Sequence, residues 1–336
     1  MKMRRVYIYI VAVAACVAIG VALGYALFGQ TPQGSSSVTR QGGYNFINPL
    51  LSCDINEDVP DSKFDSLRQS LTQLINQDKD NGYATRISIY FRDMNTGNWT
   101  GVGENDVYIP ASLLKVPVMI AYLHQQETTG GVLNTYYSLP SSPDTNASEY
   151  FKPEHPLTLG GAYTVTDLIK AMITQSDNNA AAVLQAHMSP TSIADVYNNF
   201  GLPIEPSEAD ADMSPVEYMR VFRILYNATY LDRSDSEQAL ELLSAIDFPQ
   251  GAVKGLPSGM PFANKFGERT VETVSSGQTV VQKRDLADCG IVYYPGNPYG
   301  ICIMTEGRDF SQLANVIADI SGAVYESVNN GLLKNQ

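Results

Sequence analysis

The chain has 336 residues, enough to bury a large core and to form more than one subdomain. Apolar residues make up 44% and charged residues 17%, a composition that excludes a disordered chain. The formal net charge of -13 argues against a nucleic-acid partner, because phosphate binding needs clustered Lys and Arg. With only three histidines, and no cysteine at metal-site spacing, no metal or other cofactor is expected.

The N-terminus comes first. Lys2, Arg4 and Arg5 sit in a basic tail, residues 1–5, ahead of an uncharged run from Val6 to Phe28. A helix over 6–28 would span roughly 34 Å, enough to cross a bilayer. Positive charge ahead of the run keeps that end cytoplasmic. The expectation is a single-pass membrane anchor with an extracytoplasmic body. A cleaved signal peptide, with "ALG" at Ala22–Gly24 as its site, is the rival reading, and a lipoprotein signal ending at Cys16 is a third. Residues 29–43, rich in Gly, Ser and Gln, read as a flexible linker. Residues 44–336 form the folded domain, with "YNFINPLL" docking on it.

From Asp61 the pattern turns helical, with Phe64, Leu67, Leu71, Leu74 and Ile75 on one face and Gly82 closing the segment. Ile87, Ile89 and Phe91 alternate with polar residues, as in a half-buried strand. A turn at Asn95–Gly97 leads to a second strand through Trp99. Residues 112–250 read as mostly helical. One helix follows Ser112, another spans about Thr166 to Thr174, and a third opens at "SPVE" with Ser214 as cap, Pro215 first and Glu217 completing a capping box. "TVVQKRDLADCGIVYY" and "GICIMTE" return to strand, and Phe310 to Leu333 is a last helix. Cys289 and Cys302 flank a hairpin turn, either bonded across it or as buried thiols; with Cys53 they make an odd number in the exported part.

The chemistry gathers in three short stretches. In "PASLLKVPVM", Ser112 and Lys115 stand three residues apart, on one face at the start of a helix. A serine hydroxyl attacks a carbonyl only after a base takes its proton, and a buried lysine kept neutral can be that base. A helix start also offers free N–H groups to an oxyanion. Pro117 is unexpected there, since a proline past the first turn costs a helical hydrogen bond. Further on come Ser176-Asp177-Asn178 and then Lys265-Phe266-Gly267.

S-x-x-K, S-D-N and K-x-G in this order resemble the class A β-lactamases and penicillin-binding proteins, over about Ser62 to Leu333. The resemblance implies an α/β fold, α+β layered: an antiparallel sheet flanked by helices with an inserted all-helical subdomain. It implies Ser112 as the acylated nucleophile, Lys115 as its activator and Ser176 as proton relay. It implies Asn178 on a substrate amide, Lys265 near the substrate carboxylate, Gly267 in the binding strand, and the backbone N–H of Glu268 with that of Ser112 as oxyanion hole. Asp177 is expected to hold its loop. The implied activity is an extracytoplasmic acyl-serine hydrolase acting on β-lactam amides. A D-alanyl cell-wall peptidase and a low-turnover β-lactam or peptidoglycan sensor are the alternatives. The partner is a small β-lactam or D-alanyl peptide.

Two positions depart from the pattern. Phe266 stands where the family has the Thr or Ser whose hydroxyl contacts the substrate carboxylate; Arg269 is either a replacement contact or a solvated surface residue. "FGLPIEPSEADADM" lacks the E-x-x-L-N that carries the family's deacylating glutamate. Glu205, Glu208, Asp210 and Asp212 are the acids available in its place. Slow deacylation is expected.

Overall fold

The computed structural model describes residues 38–53, 60–203, 212–275 and 278–333. The run 6–28, Glu205, Glu208, Asp210 and the side chain of Cys53 lie outside the described residues. Among the described residues no helix is long and apolar enough to cross a membrane.

The expected linker over 29–43 is corrected at its end. Strand β1, Val38–Arg40, pairs antiparallel with β2, Leu50–Cys53. Arg40 donates to Asn48 O at 2.7 Å and to Asn227 Oδ1 at 2.9 Å, so this stretch is fixed rather than tethering. The docking expected of the following residues is present. The Glu237 carboxylate accepts the backbone N–H groups of Asn45, Phe46 and Ile47, and the Phe46 ring meets Tyr293 edge-on at 5.2 Å.

A short 3-10 turn, Ser62–Phe64, leads into α1, Asp65–Asp80, which buries Leu67, Leu71 and Ile75 at the spacing read from the sequence. Gly82 ends the segment with φ of +75°, a conformation that side chains with a Cβ rarely adopt. Strands β3, Arg86–Asp93, and β4, Trp99–Val102, follow. A small two-stranded antiparallel sheet of β5, Tyr136–Ser138, and β6, Ala162–Thr164, interrupts the helical block. Strands β7, Phe262–Ser275, β8, Gln278–Val292, and β9, Tyr299–Gly307, complete a five-stranded antiparallel sheet of order β4-β3-β9-β8-β7. Strand β7 is therefore an edge.

One sheet face carries Ile87, Ile89 and Phe91 and packs on α1 and α8, Phe310–Ser327. The other carries Tyr90, Ala287 and Met304 and packs on the helical block. That second layer corrects the half-buried expectation for β3: both of its faces are covered, down to Ser88, which bonds Tyr108 Oη at 2.9 Å. The block comprises α2, Lys115–Thr129; α3, Val165–Thr174; α4, Asn178–His187; α5, Pro190–Phe200; α6, Pro215–Asn227; and α7, Arg233–Ser244. The capping box of Ser214 and Glu217 forms as its spacing predicts. Cys289 and Cys302 lie opposite each other in register on β8 and β9 and are disulfide-bonded, which closes that open alternative.

Candidate active site

Ser112 lies in a 3-10 turn, Ala111–Leu114, that runs directly into α2. Ala111 opens the turn at φ of +48°, in the left-handed region that non-glycine residues seldom occupy. Because α2 begins only at Lys115, Pro117 falls in its first turn, where a missing N–H costs little. Leu113 O, the carbonyl four residues back, accepts instead from Tyr218 Oη at 2.9 Å. The proline is thus accommodated, which corrects the expectation that it lies past the first turn.

Edge strand β7 lies against this turn. A Cβ on Gly267 would come within 2.5 Å of Pro110 O and 3.1 Å of Leu113 N, so only glycine permits the approach. The sequence marks Gly267 as a binding residue; here it serves the packing that brings β7 to Ser112.

Lysine 115 is buried. Its Nζ donates to Ser176 O at 2.6 Å, Ser176 Oγ at 3.1 Å and Asn178 Oδ1 at 2.6 Å. Lysine 265 is fully buried and donates to the same Ser176 Oγ at 2.9 Å and to Phe266 O at 2.9 Å. Ser176, itself at φ of +52°, therefore holds one hydroxyl between two amines. Desolvation pushes the Lys115 amine down to about 8, against the opposing pull of Glu149, Asp177 and Glu268. Desolvation and then the charge of Lys115 push Lys265 well below the ordinary lysine range. Asp288, buried opposite Phe266 in the register, is the nearby counter-charge; it is held by Asn264 Nδ2 at 2.7 Å and Ala252 N at 2.9 Å.

Asp177 holds its loop, as expected. It caps α4 through Ala180 N at 3.0 Å and accepts from Asn146 Nδ2 and Leu157 N. Asn146 Oδ1 in turn accepts the N–H of Asn178 at 2.7 Å. Asn178 spends its side-chain donor on Glu149 Oε1 at 2.6 Å. The sequence does not single out Glu149 and Asn146, because a lone acid and a lone amide in a loop have no diagnostic spacing.

Ser112, Lys115, Asn178, Glu149, Glu268 and Arg269 line one cleft of about 900 Å³, which continues along α4 and α5 past Met188, Ile193 and Tyr197. Arg269 is exposed at its wall. Phe266 is buried, stacked on Phe248 at 4.0 Å and edge-on to Phe151. Asp212 is exposed at the end of the loop whose other acids lie outside the described residues.

This arrangement can activate a hydroxyl. Above its pKa the Lys115 amine has a lone pair for the Ser112 proton, and Ser176 offers that proton a path onward. Acylation is expected to rise with pH through about 8, because the base form of Lys115 exists only above its pKa. Rates of acyl-enzyme formation across that window, in the wild type and in Glu268→Gln, check this. A flat profile in both would remove Lys115 from the role of base.

The Beta-lactamase enzyme family matches residues 66–328. No curated protein matches the chain in sequence. Among solved structures, the fold is similar to a PBP-A variant in an acyl-enzyme complex with penicillin G, at 19% identity and TM-score 0.64, over 81% of this chain and 99% of that one. It is similar to a β-lactamase from Sphaerobacter thermophilus, at 18% identity and TM-score 0.64, over 80% and 99%. A β-lactamase from Chitinophaga pinensis matches at 17% identity and TM-score 0.63, over 77% and 100%.

Proposed function

Since the chain belongs to the β-lactamase enzyme family, we propose that it is an extracytoplasmic acyl-serine hydrolase that opens β-lactam amides through a Ser112 acyl-enzyme and releases the acyl group slowly. The observation that carries this is the buried chain of Lys115, Ser176 and Lys265 beside Ser112. Neutral Lys115 takes the Ser112 proton as Oγ bonds to the carbonyl carbon. The backbone N–H groups of Ser112 and Glu268 receive the oxyanion. As the C–N bond breaks, the proton passes through Ser176 to the leaving nitrogen, and Lys115 is neutral again.

A D-alanyl cell-wall peptidase, or a sensor of low turnover, is the second reading. It is favoured by the absent E-x-x-L-N motif and by the fold shared with PBP-A, whose variant carries penicillin G as an acyl-enzyme. Under either reading the run 6–28 anchors the body outside the membrane.

One experiment addresses activity and location together. An excess of fluorescent penicillin is given to fractionated cells expressing the full chain. A labelled full-length band in the membrane fraction, competed by unlabelled penicillin or by a D-alanyl-D-alanine peptide, supports the proposal, and the competitor preferred tells the two readings apart. A labelled soluble product beginning near residue 25 would replace the anchor with a cleaved signal. No labelling of the folded protein would overturn the acyl-enzyme.

A further inference from the structure

Phe266 and Glu268 stand two residues apart on β7, so their side chains leave the strand on the same side. This is the place where the family pattern puts a hydroxyl for the substrate carboxylate. Here that place is closed to an anion in three ways. The Phe266 ring is packed into an aromatic cluster with Phe248 and Phe151. Lys265 is fully buried, its Nζ directed to Ser176 Oγ and Phe266 O, and it does not line the cleft. Beside them stands an acid, Glu268.

Glu268 meets a second acid. The segment 145–151 crosses from the helical block to the sheet. Thr145 donates to Asn179 at one end; at the other, Phe151 N donates to Glu268 Oε1 at 2.9 Å and Tyr150 Oη bonds Ser311 Oγ at 2.8 Å. This crossing sets the Glu149 carboxyl against that of Glu268. Glu268 is only 8% exposed, and its Oε2 is buried, receives no N–H from the protein and has the Glu149 carboxyl as its neighbour. Glu149 Oε1 already accepts from Asn178. Burial first, and then the facing Glu149 carboxyl, raise the Glu268 carboxyl to about 8. Two carboxyls that face each other on one cleft, one of them with a buried oxygen lacking a donor, form a receptor for an N–H donor. Lys115 and Arg269 also line the cleft, but Lys115 is committed to Ser176 and Asn178, and the Arg269 side chain alternates with that of Glu268 along β7 and is exposed at the cleft wall.

We propose that the leaving-group side of this site selects an ammonium over a carboxylate, with Glu149 and Glu268 as the paired acceptors. The substrate class is then an acyl donor whose leaving group carries a primary amine. The inference rests on the acyl-serine reading above, and the two can fail separately.

The probes are three aryl esters of phenylacetylglycine whose phenol bears, at the meta position, a carboxylate, a carboxamide or an aminomethyl group. In each, Ser112 Oγ bonds to the acyl carbon, the C–O(aryl) bond breaks, and the phenol leaves with the serine proton. Acylation rates, each divided by the rate of spontaneous hydrolysis, are measured on the purified protein near pH 7. The aminomethyl ester is expected to react about tenfold or more faster than the carboxylate ester, the carboxamide lying between. In Glu268→Gln and Glu149→Gln the ratio of the aminomethyl to the carboxylate rate should fall toward one, whatever either change does to the carboxamide rate. A carboxylate ester that reacts as fast as the aminomethyl ester in the wild type would overturn the inference and leave the acyl-serine reading standing. Reaction of none of the three at Ser112 would overturn both.

Discussion

Ser112→Ala is expected to abolish acylation outright, and Lys115→Met to slow it by about 10²–10⁴-fold, the range for loss of a positioned general base. Ser112 is placed on the cleft by a turn that Gly267 allows β7 to approach. Lys115, one turn on, is the buried amine closest in sequence, and its pKa of about 8 keeps a useful fraction neutral near physiological pH. Residues that act as a unit lose most of their effect when either is removed, so the double variant should be no slower than Ser112→Ala alone. Lys115→Met also leaves Asn178 Oδ1 and Ser176 O without their donor, so thermal unfolding must accompany the rate measurement. A folded Ser112→Ala protein that is acylated at the wild-type rate would remove Ser112 from the mechanism.

The second large effect is kinetic. Acylation of β-lactams is expected to outrun release, giving a stoichiometric burst followed by turnover about 10²–10⁴-fold slower than a positioned base would permit. In the proposed mechanism, attack and departure have their groups in Ser112, Lys115, Ser176 and Lys265. Release needs a carboxylate that both holds and deprotonates a water. The E-x-x-L-N motif is missing, Asp212 is exposed, and Glu149 is tied to Asn178 and Glu268. Product from a chromogenic cephalosporin, followed from milliseconds to minutes, reports this. Sustained turnover with no burst, lost in Glu205→Gln, Glu208→Gln or Glu149→Gln, would identify a working base and contradict the expectation.

Much of the fold is written in periodic patterns. Leu67, Leu71 and Ile75 fall on one helical face, Ile87, Ile89 and Phe91 on one sheet face, and the Ser214–Glu217 box marks a helix start. These signals are local, and local sequence carries them. The covering of the second face of β3 is not local, because it depends on a block folded from residues far along the chain. In the site, Ser112 and Lys115 were legible as a pair one helical turn apart, whereas Ser176, Asn178 and Lys265 were legible only through the resemblance of their ordered motifs to the class A pattern. The contact between Glu149 and Glu268 was not, since it joins a loop to a strand 119 residues later. Nor was the reason for Gly267, which is the carbonyl of Pro110 rather than any ligand. At Phe266 the sequence shows only a missing hydroxyl; its packing on Phe248 and Phe151 shows that the place is filled.

The central claim is a covalent bond at Ser112, and mass spectrometry reads it directly. Purified protein is incubated with excess penicillin G and, in parallel, with the meta-carboxamide aryl ester, then quenched in acid at intervals. Each sample is weighed intact and digested. One acyl group per chain, on the peptide carrying Ser112 and persisting for minutes before release, is the expected result. Unmodified folded protein with both reagents, or an acyl group on any other residue, would contradict it.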